Sequence, residues 1–427
     1  MKPSVFNFAY TRDQGTYAVF NTFSRAVIEF ESQDKYHEII NGSCSAHPED
    51  TYRQEAEELA RNGLIVSDET DELAVLKYFH YKAKFTKEHL ILTVAPTLAC
   101  NFACPYCYET PRHGHMSEAV QNALIQYIGE KINDGVKDID FTWYGGEPLL
   151  YPEIIDYVSS QIRKMAEEKA INVHFTMVTN GSLVTKEIVS MLVKNKINSI
   201  QITMDGMKEN HDMRRPLRNG KSSFEAIMQN LKLFAQSGIR INVRMNVDQQ
   251  NRRDYSELKQ MIEGLKPQME IALYPALVEH LNKNDTRPDI YLSGSEYADF
   301  ISENYGDKKT EADDGLALAK NRRYFCTAEL DNCYVIDEKG NCYKCWDEIG
   351  REDLICFNLL EKEKVNYDAI ARYLTDDPFQ EQSKCRTCVF LPLCFGGCRY
   401  QKKYFGHTRC SFTESGLIDY IEKKYFQ

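Results

Sequence analysis

The chain has 427 residues, 43% of them hydrophobic and 27% charged, which gives room for two or three domains with ample core and the composition of a soluble globular protein. Its formal net charge of −11 argues against a nucleic-acid partner, which calls for a basic patch; an acidic chain is compatible with a basic peptide. The opening MKPSVFNFAYTRDQG lacks the continuous apolar core of a secretory signal, and the most apolar stretches are too short to cross a bilayer, so the expectation is a cytoplasmic protein with no membrane partner.

Residues 1–85 carry short β-rich alternations, SVFNFAYT, TYAVFNTF and RAVIEF, followed by helical patterns. DTYRQEAEELARNGLIVSD begins on a possible Asp cap and stops at Gly63. A small α+β domain, winged-helix-like, is expected here. From Leu90 the pattern changes to LILTVAP, IDFTWYGG, VHFTMVTNG, SIQITMDG, RINVRMNVD and MEIALYPAL, separated by segments of helical period such as SEAVQNALIQYIGEKI and SFEAIMQNLKLFAQSG. Six strand–helix alternations predict a parallel sheet with right-handed crossovers over 86–315, a partial (β/α)6 barrel with its sites at the C-terminal strand edge. Beyond about residue 316 the alternation stops, and ten of the fourteen cysteines lie between Cys326 and Cys410. In a reducing compartment that density points to metal ligation rather than to disulfides. The expected division is 1–85, 86–315 and 316–427, the last stapled by ligands and with little core of its own.

The first expected strand runs into CNFACPYC, which places Cys100, Cys104 and Cys107 on one loop. A zinc site completed by His113 or His115 is one reading. An iron–sulfur cube with one iron left open is the other. Cys-x3-Cys-x2-Cys, with Tyr106 before the last cysteine, resembles the radical S-adenosylmethionine (SAM) enzymes. The resemblance implies that SAM chelates the open iron of a 4Fe-4S cluster and is cleaved to a 5′-deoxyadenosyl radical. It also gives later strand ends a meaning beyond turns. GGEP, Gly145, Gly146, Glu147 and Pro148, is implied to lie against the methionine part of SAM; Thr179 and Asn180 of TNG lie near its ribose or methionyl part. TMDG supplies Thr203 and Asp205, and MRRP supplies Arg214 and Arg215, with Thr203 and Arg215 falling where SAM is contacted.

Downstream, Cys326-x13-Gly340-x4-Cys345, a gap, then Cys385-x2-Cys388-x5-Cys394-x3-Cys398 and Cys410 is similar to the SPASM extension of these enzymes. The resemblance implies two auxiliary 4Fe-4S clusters. Cys326, Cys345 and Cys398 would hold the first, with Cys333 a possible fourth ligand; Cys385, Cys388, Cys394 and Cys410 would hold the second. Cys342 and Cys356 fall outside the pattern and read as core residues, although Cys342 could compete with Cys333, and Cys44 reads as inert.

Relatives that generate formylglycine on sulfatases place an Asp directly after the cysteine that Cys345 matches. Here Trp346 stands there and Asp347 one position later, a candidate base only. The 99 residues before the first cysteine motif resemble instead the lead of enzymes that mature ribosomal peptides. That implies a precursor peptide whose leader pairs with a strand edge, AVFNTF or RAVIEF, and an electron donor such as flavodoxin or ferredoxin. The expected activity is formation of a thioether cross-link. Carbon–carbon or aromatic cross-linking and formylglycine formation are the alternatives, and a non-catalytic redox sensor is the alternative of another class.

Overall fold

A computed structural model describes residues 1–44, 50–278, 288–305, 323–406 and 414–426. Short strands β1 (Lys2–Pro3) and β5 (Ile65–Val66) pair with each other, and β2 (Asn7–Thr11), β3 (Tyr17–Asn21) and β4 (Val27–Phe30) form an antiparallel sheet in that order. Helices α1 (Gln33–Ser43), α2 (Asp50–Arg61) and α3 (Glu72–Lys84) complete the N-terminal segment. Ser32 and Asp71 cap α1 and α3 with their side chains, and Gly63, at φ +75°, makes the stop expected after α2.

The expected six parallel strands are present: β6 (His89–Val94), β7 (Asp138–Trp143), β8 (Asn172–Thr179), β9 (Ile197–Thr203), β10 (Arg240–Val247) and β11 (Ile271–Leu277), paired neighbour to neighbour. Between and after them lie α4 (Glu118–Asn133), α5 (Pro152–Lys169), α6 (Lys186–Lys194), α7 (Lys208–Arg214), α8 (Ser223–Leu231), α9 (Tyr255–Glu263) and α10 (Gly294–Tyr305). Burial alternates strictly along β7 and β10. Ile139, Phe141 and Trp143, with Ile241, Val243 and Met245, join one continuous core with Leu124 of α4, Val158 of α5 and Leu258 of α9. The opposite face of the sheet is polar. Thr142 bonds Thr176 at 2.8 Å, and Asn242 bonds Ser199 at 3.0 Å. A sheet packed on both faces would read as unbroken apolar runs; this one has an apolar side under its helices and a hydrophilic one opposite.

Three further strands, β12 (Cys333–Ile336), β13 (Asn341–Tyr343) and β14 (Phe357–Asn358), extend the same sheet beyond β6, and α11 (Tyr367–Leu374) follows. Tyr334, Ile336, Cys342, Cys356 and Phe357 belong to the main core. The chain ends in α12 (Leu391–Cys394), α13 (Arg399–Phe405) and α14 (Glu414–Ile421). Phe8, Tyr10 and Phe20 share a core with Leu393, Leu417 and Ile421, and Phe6 and Leu76 share another with Phe379, Leu391 and Phe395. Accordingly, Met1–Phe85, Gly306–Glu329 and Thr375–Gln427 form one compact unit, and Thr86–Tyr305 with Leu330–Leu374 form the other. The cysteine-rich region shares its cores with others: its first part is built into the barrel sheet and its last part packs with the N-terminal segment. None of the described helices is long and apolar enough to cross a membrane.

Candidate active site

Strand β6 delivers the chain into a loop that its surroundings fix at several points. Buried Thr97 donates to Gly114 O at 2.5 Å and accepts from Ala99 N–H at 3.0 Å. Ala103 N–H donates to Pro216 O at 2.9 Å, and Arg218 donates from Nε to Cys100 O at 3.0 Å. The three thiols of CNFACPYC therefore sit on a held backbone, with Cys100 and Cys104 half-buried and Cys107 exposed.

GGEP docks against this loop. Gly146 N–H donates to Thr97 O at 3.2 Å and Glu147 N–H to Ala99 O at 2.9 Å. A Cβ on Gly145, which sits at φ +101°, would meet Thr97 O at 2.5 Å, and one on Gly146 would overlap Ala99 O. The glycines are thus required by the close approach of two loops. Glu147 points inward and is fully buried; it accepts from Thr179 Oγ1 at 2.6 Å, Asn180 N–H at 2.7 Å and Leu149 N–H at 3.0 Å, just ahead of Pro148. Burial raises its pKa and these donors oppose the rise. Asn180 continues the chain of contacts, donating to Asn101 Oδ1 at 2.8 Å beside Cys100.

Asp205 and Arg215 converge on Tyr106. The Tyr106 hydroxyl donates to Asp205 Oδ2 at 2.5 Å and accepts from Arg215 Nη1 at 2.6 Å, while Asn246 N–H donates to Asp205 Oδ1 at 3.0 Å. Arg214 pairs with Asp248 and lies 3.7 Å from Asp205. Arg215 therefore braces the cysteine loop, and its Nε is buried without a hydrogen-bond partner among the described residues. Thr203 is buried at the end of β9. His211, which sequence reading passed over, accepts from Asp205 N–H at 3.1 Å; burial and then the charge of Arg215 push its pKa down to about 3, so the ring is neutral. Its only signal in the sequence is its place six residues after Asp205.

On the other side of the cysteine loop, the hydroxyls of Tyr108 and Tyr144 are in contact, and Tyr144 packs on Trp346 with ring centroids 4.5 Å apart. Buried Glu109 is pushed up to about 8, first by burial and then by the charges of Asp347 and Glu338. Asp347 Oδ2 lies 3.8 Å from Cys345 Sγ.

Of the downstream cysteines, Cys333 is buried at the start of β12 opposite Ile91, and Cys345 is buried just before a short turn at Trp346–Glu348. Both belong to the barrel unit. Cys326, Cys385, Cys388, Cys394 and Cys398 are half-buried and belong to the other unit. Cys388 N–H donates to Cys385 O at 3.0 Å and Gly397 N–H to Cys394 O at 2.9 Å, so tight turns space these ligand candidates. Cys410 lies outside the described residues. Cys342 and Cys356 are core residues, and Cys44 packs in an N-terminal cluster.

Among the described residues, no three Cys, His, Asp or Glu side chains converge to grip a single ion. Of the zinc alternatives, His113 is exposed and His115 stacks on Tyr151 at 4.5 Å. An iron–sulfur cube asks something different, since each thiolate takes its own iron. Burial above all, with the charges of Glu147 and Cys104 among the lesser causes, pushes Cys100 up to about 11. Thiols so placed become thiolates on gaining a cationic partner, and the set fits such a group.

Residues 94–262, from the end of β6 through α9, match the radical SAM superfamily. The chain carries a radical SAM domain. Around it the chain is 23% identical to the cysteine-type anaerobic sulfatase-maturating enzyme of Clostridium novyi, over 71% of this chain and 86% of that one. It is 24% identical to the serine-type enzyme of Bacteroides thetaiotaomicron, over 81% and 89%. In fold, the structure of native anSMEcpe with bound AdoMet is similar at TM-score 0.61 and 20% identity, covering 78% of this chain and 96% of that one. Streptococcus suis SuiB bound to its precursor peptide SuiA is similar at TM-score 0.50 and 16% identity, covering 96% and 99%. Members of the radical SAM family use SAM and a 4Fe-4S cluster. Cys100, Cys104, Cys107, GGEP, TNG, TMDG and MRRP all lie within it.

Proposed function

We propose that this protein is a radical SAM enzyme that modifies a ribosomally made precursor peptide, joining a cysteine sulfur to a carbon of another residue. The observation that carries the reading is the fixed loop of Cys100, Cys104 and Cys107, onto which GGEP, TNG and the Tyr106–Asp205–Arg215 triad are hydrogen-bonded. These three thiols would hold the SAM-binding cluster, and the downstream cysteines two auxiliary ones. With SAM bound, that cluster would supply the chemistry for removing one hydrogen atom from the peptide. Joining the deprotonated thiol to the resulting carbon leaves one electron over, and groups held by the downstream cysteines would supply its acceptor.

The chain's own residues have distinct duties. Gly145 and Gly146 let the two loops close, Glu147 ties them to β8, and Arg215 with Asp205 sets Tyr106 beside Cys107. The open edge of β4, paired on one side by β3, suits leader capture by strand addition. Strand β3, holding most of AVFNTF, is paired on both sides and does not offer an edge.

Formylglycine formation is the second reading, supported by similarity to proteins named anaerobic sulfatase-maturating enzymes over most of their length. The two are separated by anaerobic reconstitution with SAM and synthetic cysteine-containing peptides. A thioether removes two hydrogen atoms and an alkylatable thiol; formylglycine gives an aldehyde trapped by hydrazine. Absence of 5′-deoxyadenosine with every peptide would sink both.

A further inference from the structure

Strand β10 carries two arginines on the face turned away from the helices. Its apolar side chains Ile241, Val243 and Met245 belong to the main core, so Arg240, Asn242, Arg244 and Asn246 share the polar side of the sheet. Arg240 pairs with Glu270 at 3.4 Å. Arg244 stands nearer the C-terminal end of the strand, half-buried, with Thr203 of β9 and Tyr274 of β11 as its register partners. Its Nε donates to Asn246 Oδ1 at 2.9 Å, and Asn246 Nδ2 donates to the Tyr106 hydroxyl at 3.5 Å. The Tyr274 hydroxyl accepts from Arg244 and donates to Gln201 Oε1 at 2.5 Å. These partners are all neutral. Among the described residues no carboxylate pairs with Arg244, whereas Arg214 and Arg112 each meet an aspartate. A guanidinium keeps its charge, and partial burial without a counter-charge is costly. Its planar fork, steadied at Nε, suits a carboxylate on its remaining N–H groups.

We propose that Arg244, positioned by Asn246 and Tyr274, is a subsite for the carboxylate of an aspartate or glutamate side chain in the peptide substrate. The inference rests on the peptide-modification reading and gives it a substrate class. Arg244 forms and breaks no covalent bond. It supplies the counter-charge, and so fixes which stretch of the peptide lies on the polar face of the sheet beside the cysteine loop.

The test is anaerobic calorimetry on the reconstituted holoenzyme, with and without SAM. The probes are acetyl-Gly-Glu-Gly amide and acetyl-Gly-Asp-Gly amide, against the uncharged acetyl-Gly-Gln-Gly amide. The acidic tripeptides should bind saturably and the glutamine tripeptide at least about tenfold more weakly, the scale of one charge-assisted hydrogen bond. Arg244→Gln should abolish that preference. If Arg244→Gln loses iron, labelling of the wild type with phenylglyoxal, mapped by mass spectrometry, makes the same comparison. The acidic tripeptides should protect Arg244 and the glutamine tripeptide should not.

Equal binding of the glutamine tripeptide, a preference that survives Arg244→Gln, or labelling of Arg244 indifferent to the acidic tripeptides overturns the subsite. Displacement of the acidic tripeptides by SAM also overturns it, because the guanidinium then belongs to the cofactor. 5′-Deoxyadenosine measured on the same samples reports on the enzymatic reading separately. SAM cleavage without carboxylate binding removes the subsite alone, whereas carboxylate binding without cleavage leaves the anion site and removes the enzyme.

Discussion

At the scale of single residues, Glu147 and Gly146 make the sharpest claims. Removing the Glu147 carboxylate strands the Thr179 hydroxyl and the Asn180 N–H in a site closed to water. Each such loss costs about 1–3 kcal/mol, so Glu147→Ala should lower stability by about 3 kcal/mol, read as a lower thermal midpoint. Gly146→Ala should act differently, because its Cβ meets backbone that cannot step aside. We expect the SAM-binding cluster to be lost, seen as roughly four fewer irons per chain, the content of one cube, with the downstream iron retained. His211 supplies a pH dependence. Its folded pKa of about 3 lies below the ordinary 6.5, so between those values the unfolded chain takes up a proton that the folded ring refuses. The stability it contributes is complete above 6.5 and declines as pH falls below it. Thermal midpoints of the wild type should drop more steeply over that range than those of His211→Asn. The cysteines, the glycines and Tyr106 were legible because local spacing carries them. His211, Glu109 and Tyr144 were not, because each draws its meaning from partners that only the fold brings near.

At the scale of elements, the six parallel strands could be read from apolar runs bounded by Gly and Asn turns. RINVRMNV shows its two faces as well, because polar and apolar residues alternate strictly and put Arg244 and Asn246 on the side away from Val243 and Met245. Strands β12 to β14 were hidden. They are two to four residues long and sit in a cysteine-rich stretch whose composition suggests metal-dependent folding. Lys344 is the test of their true support. It is buried, donates to Leu330 O at 2.5 Å and Cys333 O at 2.7 Å, and lies over the Tyr334 ring. Lys344→Met should destabilise the protein by about 3 kcal/mol, with or without iron. A stability change confined to iron-loaded protein would show that thiolate ligation, and not this lysine, holds the segment.

At the scale of the molecule, the N-terminal segment and the last fifty residues share two hydrophobic cores. A truncation at residue 85 is therefore a poor assay for leader binding. We expect a chain beginning at Thr86 to aggregate, since Leu391, Leu393 and Phe395 would lose the partners that bury them. Charge substitutions on partly exposed Val27 and Ile28 of β4 should instead preserve iron content and weaken peptide capture. Equal solubility of the truncated and full chains would contradict the shared cores.

That shared packing also dictates a timetable. A domain whose residues are contiguous can fold as it leaves the ribosome, but the first 85 residues here find part of their core only after more than three hundred others have been added. At about 5–20 residues per second, they wait on the order of twenty seconds to a minute, holding Phe6, Phe8 and Phe20 uncovered. The barrel has most of its sheet long before then. Nascent chains should accordingly recruit chaperones through the uncovered apolar side chains of β2 and β3.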